Sequence, residues 1–332
     1  MAESSEKPPR AARSASKAAR PAGGVMQSMD QELVRSGPAQ GVESDRKRSW
    51  RKRARKRFKR VGRKALNRVS RVAGRESLVG DRPILDAKDF PWIPRLEEGT
   101  PLIQSELAAV LHYRDSLPKL HELQREQYRI SADDKWRAFV LYGWDYEAEE
   151  GAHLCPETSR LVRQIPGLRT AFFSILDPGA HIPEHRGAIK GLLRGQLALV
   201  VPRDRERCVL WLEGVPHLWQ EGRVLVFDDT YLHEVRNETD EERVVLILHF
   251  DRPMRWRGRL LHRALLLALR RTSFIKSARA NHAEWARRFR RDREASRRTV
   301  SPVAREEGVD EASTRRGPLA AGQGRASGRR GE

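Results

Sequence analysis

Two histidines in the middle of the chain have the type and setting to hold a metal. They are His185, in Pro-Gly-Ala-His-Ile-Pro-Glu-His-Arg-Gly, and His233, in Val-Phe-Asp-Asp-Thr-Tyr-Leu-His-Glu-Val. Each sits at the end of a short stretch with strand character. Neutral imidazole is the commonest side chain for binding iron and other borderline transition metals. Ten residues past His233, Arg243 opens the apolar run Val-Val-Leu-Ile-Leu. A guanidinium there is costly unless it meets a carboxylate, which a buried anionic ligand would supply. Asp228, Asp229 and Glu234 surround the second histidine. One of the two aspartates can cap the turn before Tyr231, and Asp229 can hydrogen-bond a metal-bound water as an outer partner of the metal.

The elements that must position these groups are short. Leu192–Val201, Cys208–Leu212, Arg223–Phe227 and Val244–Phe250 are apolar runs bounded by Pro, Gly, Asp or Asn. They read as buried strands joined by tight turns, a mainly β sandwich or jelly roll. Arg169–Leu176 is a further strand whose alternation places Thr170, Phe172 and Ser174 on one side, with the Ser174 hydroxyl able to reach a bound carboxylate. Lys135–Trp144 also alternates as a strand, and carries Trp136 and Trp144. Ile103–Tyr113 has helical spacing behind Pro101, and a helix starting on Pro156 or Glu157 ends before Pro166.

On these residues the chain resembles the aspartyl/asparaginyl β-hydroxylase family of iron(II)- and 2-oxoglutarate-dependent oxygenases, over about Lys135–Pro253. The resemblance rests on the two histidine motifs and the downstream Arg243, in that order. His-Ile-Pro-Glu-His-Arg-Gly and the later Arg-Pro-Met-Arg-Trp point to the bacterial lipid-A hydroxylase branch. It implies a double-stranded β-helix of cupin-like form with supporting helices. It also implies iron held by His185 and His233, with dioxygen and 2-oxoglutarate as co-substrates. The distal carboxylate of 2-oxoglutarate would lie on Arg243 and Ser174 and its other end on Arg194, and Trp136 would line the pocket. No catalytic group beyond the metal ligands is implied. Two positions depart from the wider oxygenase pattern. Gly187 stands where a third, carboxylate ligand is usual, as is typical of this family, and Gln196 stands where a histidine is expected; its amide can still donate a hydrogen bond.

Charge divides the chain. Its 332 residues carry +20, yet Asp81–Asp251 carries −9, so the flanks hold +29. Between Arg46 and Lys64, 13 of 19 residues are Lys or Arg, interleaved with Trp50 and Phe58. Such density can attract anionic lipid headgroups, and nucleic acid less readily; the alternative is a solvated tail that binds nothing in particular. The segment Trp256–Arg271 mixes leucines with arginines; its charge-free run is far below the roughly 20 residues needed to span a bilayer. It reads as an interfacial helix or as one docked on the barrel. Four regions are therefore expected: a disordered basic 1–79, the oxygenase domain 80–253, a basic amphipathic helical region 254–296 and a disordered tail 297–332.

Two cysteines, Cys155 and Cys208, give no disulfide framework and no cysteine-rich zinc site. The first 45 residues have no apolar central run of the signal-peptide kind. The expectation is a cytoplasmic enzyme, peripheral at the inner face of the membrane, hydroxylating a lipid acyl chain. A peptide aspartyl or asparaginyl side chain is the alternative substrate, and a non-enzymatic barrel with binding tails the other class. Among the other histidines, His112, His121 and His181 are read as structural, His217 as a surface residue and His249 as a core one.

Overall fold

The computed structural model describes Trp50 and residues 66–131, 133–143 and 146–300. The rest of the basic run Arg46–Lys64, the expected tail beyond residue 300 and Trp144 lie outside the described residues. Eleven strands are found in the described part: β1 Ile84–Leu85, β2 Trp136–Gly143, β3 Tyr146–Glu147, β4 Leu168–Leu176, β5 Ala180–His185, β6 Leu192–Val200, β7 Cys208–Leu212, β8 Val215–Leu218, β9 Val224–Phe227, β10 His233–Asn237 and β11 Arg243–Asp251. They form a seven-stranded sheet in the order β1-β9-β6-β11-β4-β2-β3 and a four-stranded sheet in the order β5-β10-β7-β8. Every pairing is antiparallel. This is the mainly β jelly roll that the short buried runs predict, in the double-stranded β-helix form that the resemblance implies.

Strand alternation divides the large sheet into two faces. On β11, Val244, Leu246, Leu248 and Phe250 enter the core shared with the helices. Val245 and Ile247 enter the core between the two sheets, with Ala198, Leu210 and Val235. Arg243 and His249 keep step with the second set, so the same alternation that fills the inter-sheet core also places the functional side chains inside it.

The helices are α1 (residues 66–75), α2 (Ile93–Glu98), α3 (Thr100–Leu111), α4 (Leu120–Leu123), α5 (Glu149–Leu154), α6 (Pro156–Val162), α7 (Trp256–Arg270) and α8 (Ser273–Val300). Proline in the first turn starts α3 and α6. The free amides at the start of α6 are satisfied across the fold: Glu106 of α3 accepts from Glu157 N at 2.9 Å and Thr158 N at 2.8 Å. In α8, Ala286 and Phe289 are buried, and Trp285 donates to Ser116 O at 3.0 Å.

Two expected boundaries move. Residues 66–79 are not part of a disordered tail: α1 forms, Ala73 and Val79 are buried, and Leu78 N donates to Pro253 O at 2.9 Å. The cause is the helical spacing of Leu66, Val69 and Val72–Ala73, set within a strongly basic background. At the other end α8 runs on to Val300, past the expected tail start at 297.

Candidate metal and co-substrate site

His185 ends β5 and His233 begins β10, and the antiparallel register pairs them directly. Their ring centroids are 4.1 Å apart. His185 Nδ1 lies 2.8 Å from Pro183 O, and His233 Nδ1 lies 2.9 Å from Tyr231 O. A carbonyl only accepts, so in each ring Nδ1 carries the proton and Nε2 carries the free lone pair. Burial, reinforced by Arg194, lowers the pKa of His185 to about 4 and of His233 to about 3. Both imidazoles are neutral at ordinary pH, the form that binds metal. His233 Nε2 is buried without a hydrogen-bond partner. Two locked, neutral rings with lone pairs available fit an iron ion.

Among the described residues no set of three His, Cys, Asp or Glu side chains converges as a metal cluster. The place of a third ligand is taken in another way. A Cβ added at Gly187 would overlap the carboxylate of Asp229, and Gly187 N donates to Asp229 O at 2.6 Å. Asp229 accepts from Arg194 at 3.0 Å, and burial raises its carboxyl pKa against the pull of that arginine. Asp228 is the turn cap: it accepts from Thr230 N at 3.0 Å and from the buried Arg252.

At the deep end lies Arg243, 1% exposed. Its Nε and one terminal nitrogen have no hydrogen-bond partner, and the group stacks on Trp219 at 4.8 Å. Burial pushes its pKa down to about 10. The neighbouring acids are engaged elsewhere, Glu241 with Arg203 and Glu242 with Arg114. Arg243 is therefore not part of a surface ion pair.

The rest of the cavity wall is ordered by cross-strand pairs. Trp136 Nε1 donates to Ser174 Oγ at 2.9 Å, which leaves the hydroxyl proton of Ser174 to donate in turn. Trp219 Nε1 donates to Gln196 Oε1 at 2.7 Å, which leaves the Gln196 amide NH₂ as a donor. Trp136, Ser174, His185, Arg194, Gln196, His233 and Arg243 line one small cavity, closed by Ile182, Leu210, Val235 and Ile247. Asp229 sits at its edge through Arg194.

Sequence reasoning missed two of these partners. Trp219 orients both Gln196 and Arg243. His249, expected in the core, is half-buried and accepts from Arg194 Nε at 3.1 Å, its other nitrogen 2.6 Å from Thr170 Oγ1. Alternation along β11 carries the signal for it, because His249 shares the parity of Arg243. His181 pairs with Glu234 at 2.9 Å and His121 with Ser131 O at 3.0 Å. Both remain outside the cavity.

The family model for aspartyl/asparaginyl beta-hydroxylase matches residues 97–253. Among characterised proteins, the ornithine lipid ester-linked acyl 2-hydroxylase of Rhizobium tropici is 38% identical over 240 residues, covering 70% of this chain and 85% of that protein. The human aspartyl/asparaginyl beta-hydroxylase is 31% identical over 166 residues, covering 48% of this chain and 21% of that protein. A prolyl-4-hydroxylase structure from Pseudomonas putida aligns with a TM-score of 0.30 at 21% identity, covering 46% of this chain and 87% of that one.

Proposed function

We propose that this chain, which belongs to the aspartyl/asparaginyl β-hydroxylase family, is an iron(II)- and 2-oxoglutarate-dependent hydroxylase of a membrane-lipid acyl chain. Arg243 carries the reading. A guanidinium this deeply buried, with no carboxylate beside it among the described residues, weakens the fold unless an anion completes it. The cavity that it closes ends, on the other side, at two neutral histidines.

In this reading His185 and His233 hold the iron through Nε2, each ring fixed by its carbonyl partner. Bound iron, with dioxygen and 2-oxoglutarate, supplies the oxidising power to insert one oxygen atom into an unactivated C–H bond, releasing succinate and carbon dioxide. Arg243 and Ser174 bind the distal carboxylate of 2-oxoglutarate, with Trp136 holding the serine rotamer. Arg194 and the amide of Gln196 serve the other end of the same molecule. Asp229 anchors Arg194 and would accept a hydrogen bond from a water on the bound metal. Ile182, Leu210, Val235 and Ile247 keep bulk water out.

The Rhizobium relative's acyl substrate supports a lipid here, as does the basic character of both flanks. The same features favour work at the cytoplasmic face of a membrane. The test is to incubate the purified protein with iron(II), 2-oxoglutarate and membrane lipid extract. Succinate and a lipid heavier by one oxygen atom are expected in the mass spectrum. Succinate formed only with an Asp- or Asn-containing peptide would transfer the reading to a peptide substrate.

A further inference from the structure

From the shape and charge of α7, we propose that its outer face is a docking surface for an anionic lipid bilayer, and that it sets the histidine end of the barrel against the membrane. The helix has two apolar faces. Gly258, His262 and Leu266 are buried on the domain. Trp256, Leu260, Ala264 and Leu267 all lie exposed. At 3.6 residues per turn these four occupy an arc of roughly 80°, a continuous stripe facing away from the core. The three large ones are exposed to 63%, 64% and 58%.

Arginines border this stripe. Arg259, Arg263 and Arg270 follow one side and Arg257 the other, all exposed. Arg257, Arg259 and Arg263 have no carboxylate partner among the described residues, and no Asp or Glu occurs between Asp251 and Glu284. A helix face that is merely solvated usually mixes both signs. An apolar stripe with Trp at one end and guanidiniums along its borders is what an interfacial helix presents to acyl chains and phosphates. At 15 residues, or about 22 Å, α7 can lie in the interface but not cross it. Next to its start, α1 adds exposed Arg68, Arg71 and Arg75, joined through Arg255 N to Glu76 O at 2.9 Å.

Position links this surface to chemistry. Along β11 the order is Arg243 at one end, then Val245 and Ile247, then His249 beside Arg194, and finally Asp251. Asp251 accepts from His262 of α7 at 3.0 Å, and His262 packs so closely on Gly191 that no Cβ fits there. Gly191 is reached from His185 by five intervening residues. α7 therefore sits at the metal end of the barrel, the end opposite Arg243. An acyl chain could reach the site there without leaving the interface. This last step rests on the lipid-hydroxylase reading; the docking does not.

The test uses the full chain without iron or 2-oxoglutarate. Cys155 and Cys208 are buried, so an environment-sensitive fluorophore can be placed selectively on Leu260→Cys, and in a second protein on Leu102→Cys. Leu102 lies on α3, whose Gln104 bonds Leu199 O, at the far end of β6 from Gly191. With vesicles of equimolar phosphatidylglycerol and phosphatidylcholine at high salt, the label at 260 should brighten and shift to the blue, while that at 102 should not. Leu260→Asp combined with Leu267→Asp should lower the partition coefficient roughly tenfold or more. A label at 260 that stays in water while the protein pellets with vesicles overturns the proposal. So does double-variant partitioning equal to that of the parent, or a parent dimer that the double variant converts to monomer, which would assign the stripe to a second copy. Loss of the hydroxylase reading would appear separately, as absent succinate with docking intact.

Discussion

The carboxylate of Asp229 occupies the space into which a side chain at Gly187 would grow. The two are also tied by their backbones at 2.6 Å. Residue 187 is two positions after His185, where other oxygenases place a third ligand. Here that volume is filled from the turn before β10, and Arg194 holds the carboxylate in place at 3.0 Å. The glycine is thus required by the acid opposite it.

Gly187→Ala should consequently displace Asp229 and strain the loop, with a loss of about 1–3 kcal/mol of stability from overpacking. The same substitution in an Asp229→Ala background should cost markedly less, because the collision is gone. Thermal unfolding of the two single variants and the double variant gives the coupling energy directly. Additive losses would mean that Gly187 is not required by Asp229.

Metal binding should separate the three polar groups around it. His185→Ala and His233→Ala should each abolish iron(II) binding, measured by calorimetry under anaerobic conditions, along with turnover. If Asp229 acts through Arg194 rather than by ligation, Asp229→Ala should keep the iron and reduce activity. Equal iron loss in all three would make Asp229 a ligand.

Much of this site is legible in the sequence because its key residues stand in short local patterns. His185, His233 and Arg243 each mark a strand end, and Ser174 follows from alternation in one strand. What the sequence does not disclose is the pairing between strands far apart in the chain. Gln196 meets Trp219, and Arg194 meets His249, only because sheet register brings them together. The buried Arg252–Asp228 pair is of the same kind. The helix α1 was hidden for a different reason: a basic background masked the spacing of Leu66, Val69 and Val72. The strand boundaries moved by only a residue or two, as with β11, Arg243–Asp251 against Val244–Phe250.

The seating of α8 should be acid-sensitive through His282. This ring is buried between Tyr146 and Trp285, its Nε2 has no partner, and burial lowers its pKa to about 4. The folded state therefore prefers the neutral ring more than the unfolded chain does. Its contribution is present in full above the ordinary value of 6.5 and is lost as pH falls from there towards 4. Replacing it by Leu should flatten that part of the stability–pH curve by roughly 2–4 kcal/mol. In thermal melts of parent and variant between pH 7 and about 4, a stability difference that stays constant across the range would mean that the ring carries no such linkage.

Arg243 offers the most direct test of function, because its two roles predict opposite signs. Without an anion, a buried guanidinium with free Nε and a free terminal nitrogen weakens the fold, and below its lowered pKa of about 10 it stays charged. Arg243→Met, similar in volume and apolar, should then make the protein more stable in the absence of co-substrate. 2-Oxoglutarate should reverse the ranking. It stabilises the parent by mass action, about 2.7 kcal/mol at a hundredfold excess over the dissociation constant, and should leave the Met variant almost unchanged. Arg243→Lys keeps the charge and loses the fork, so the KM for 2-oxoglutarate should rise roughly 10- to 100-fold. Iron(II) affinity should hardly move in either variant, since His185 and His233 are untouched. Equal stabilisation of parent and Met variant by 2-oxoglutarate would place the carboxylate elsewhere in the cavity and leave Arg243 as a structural partner of Trp219.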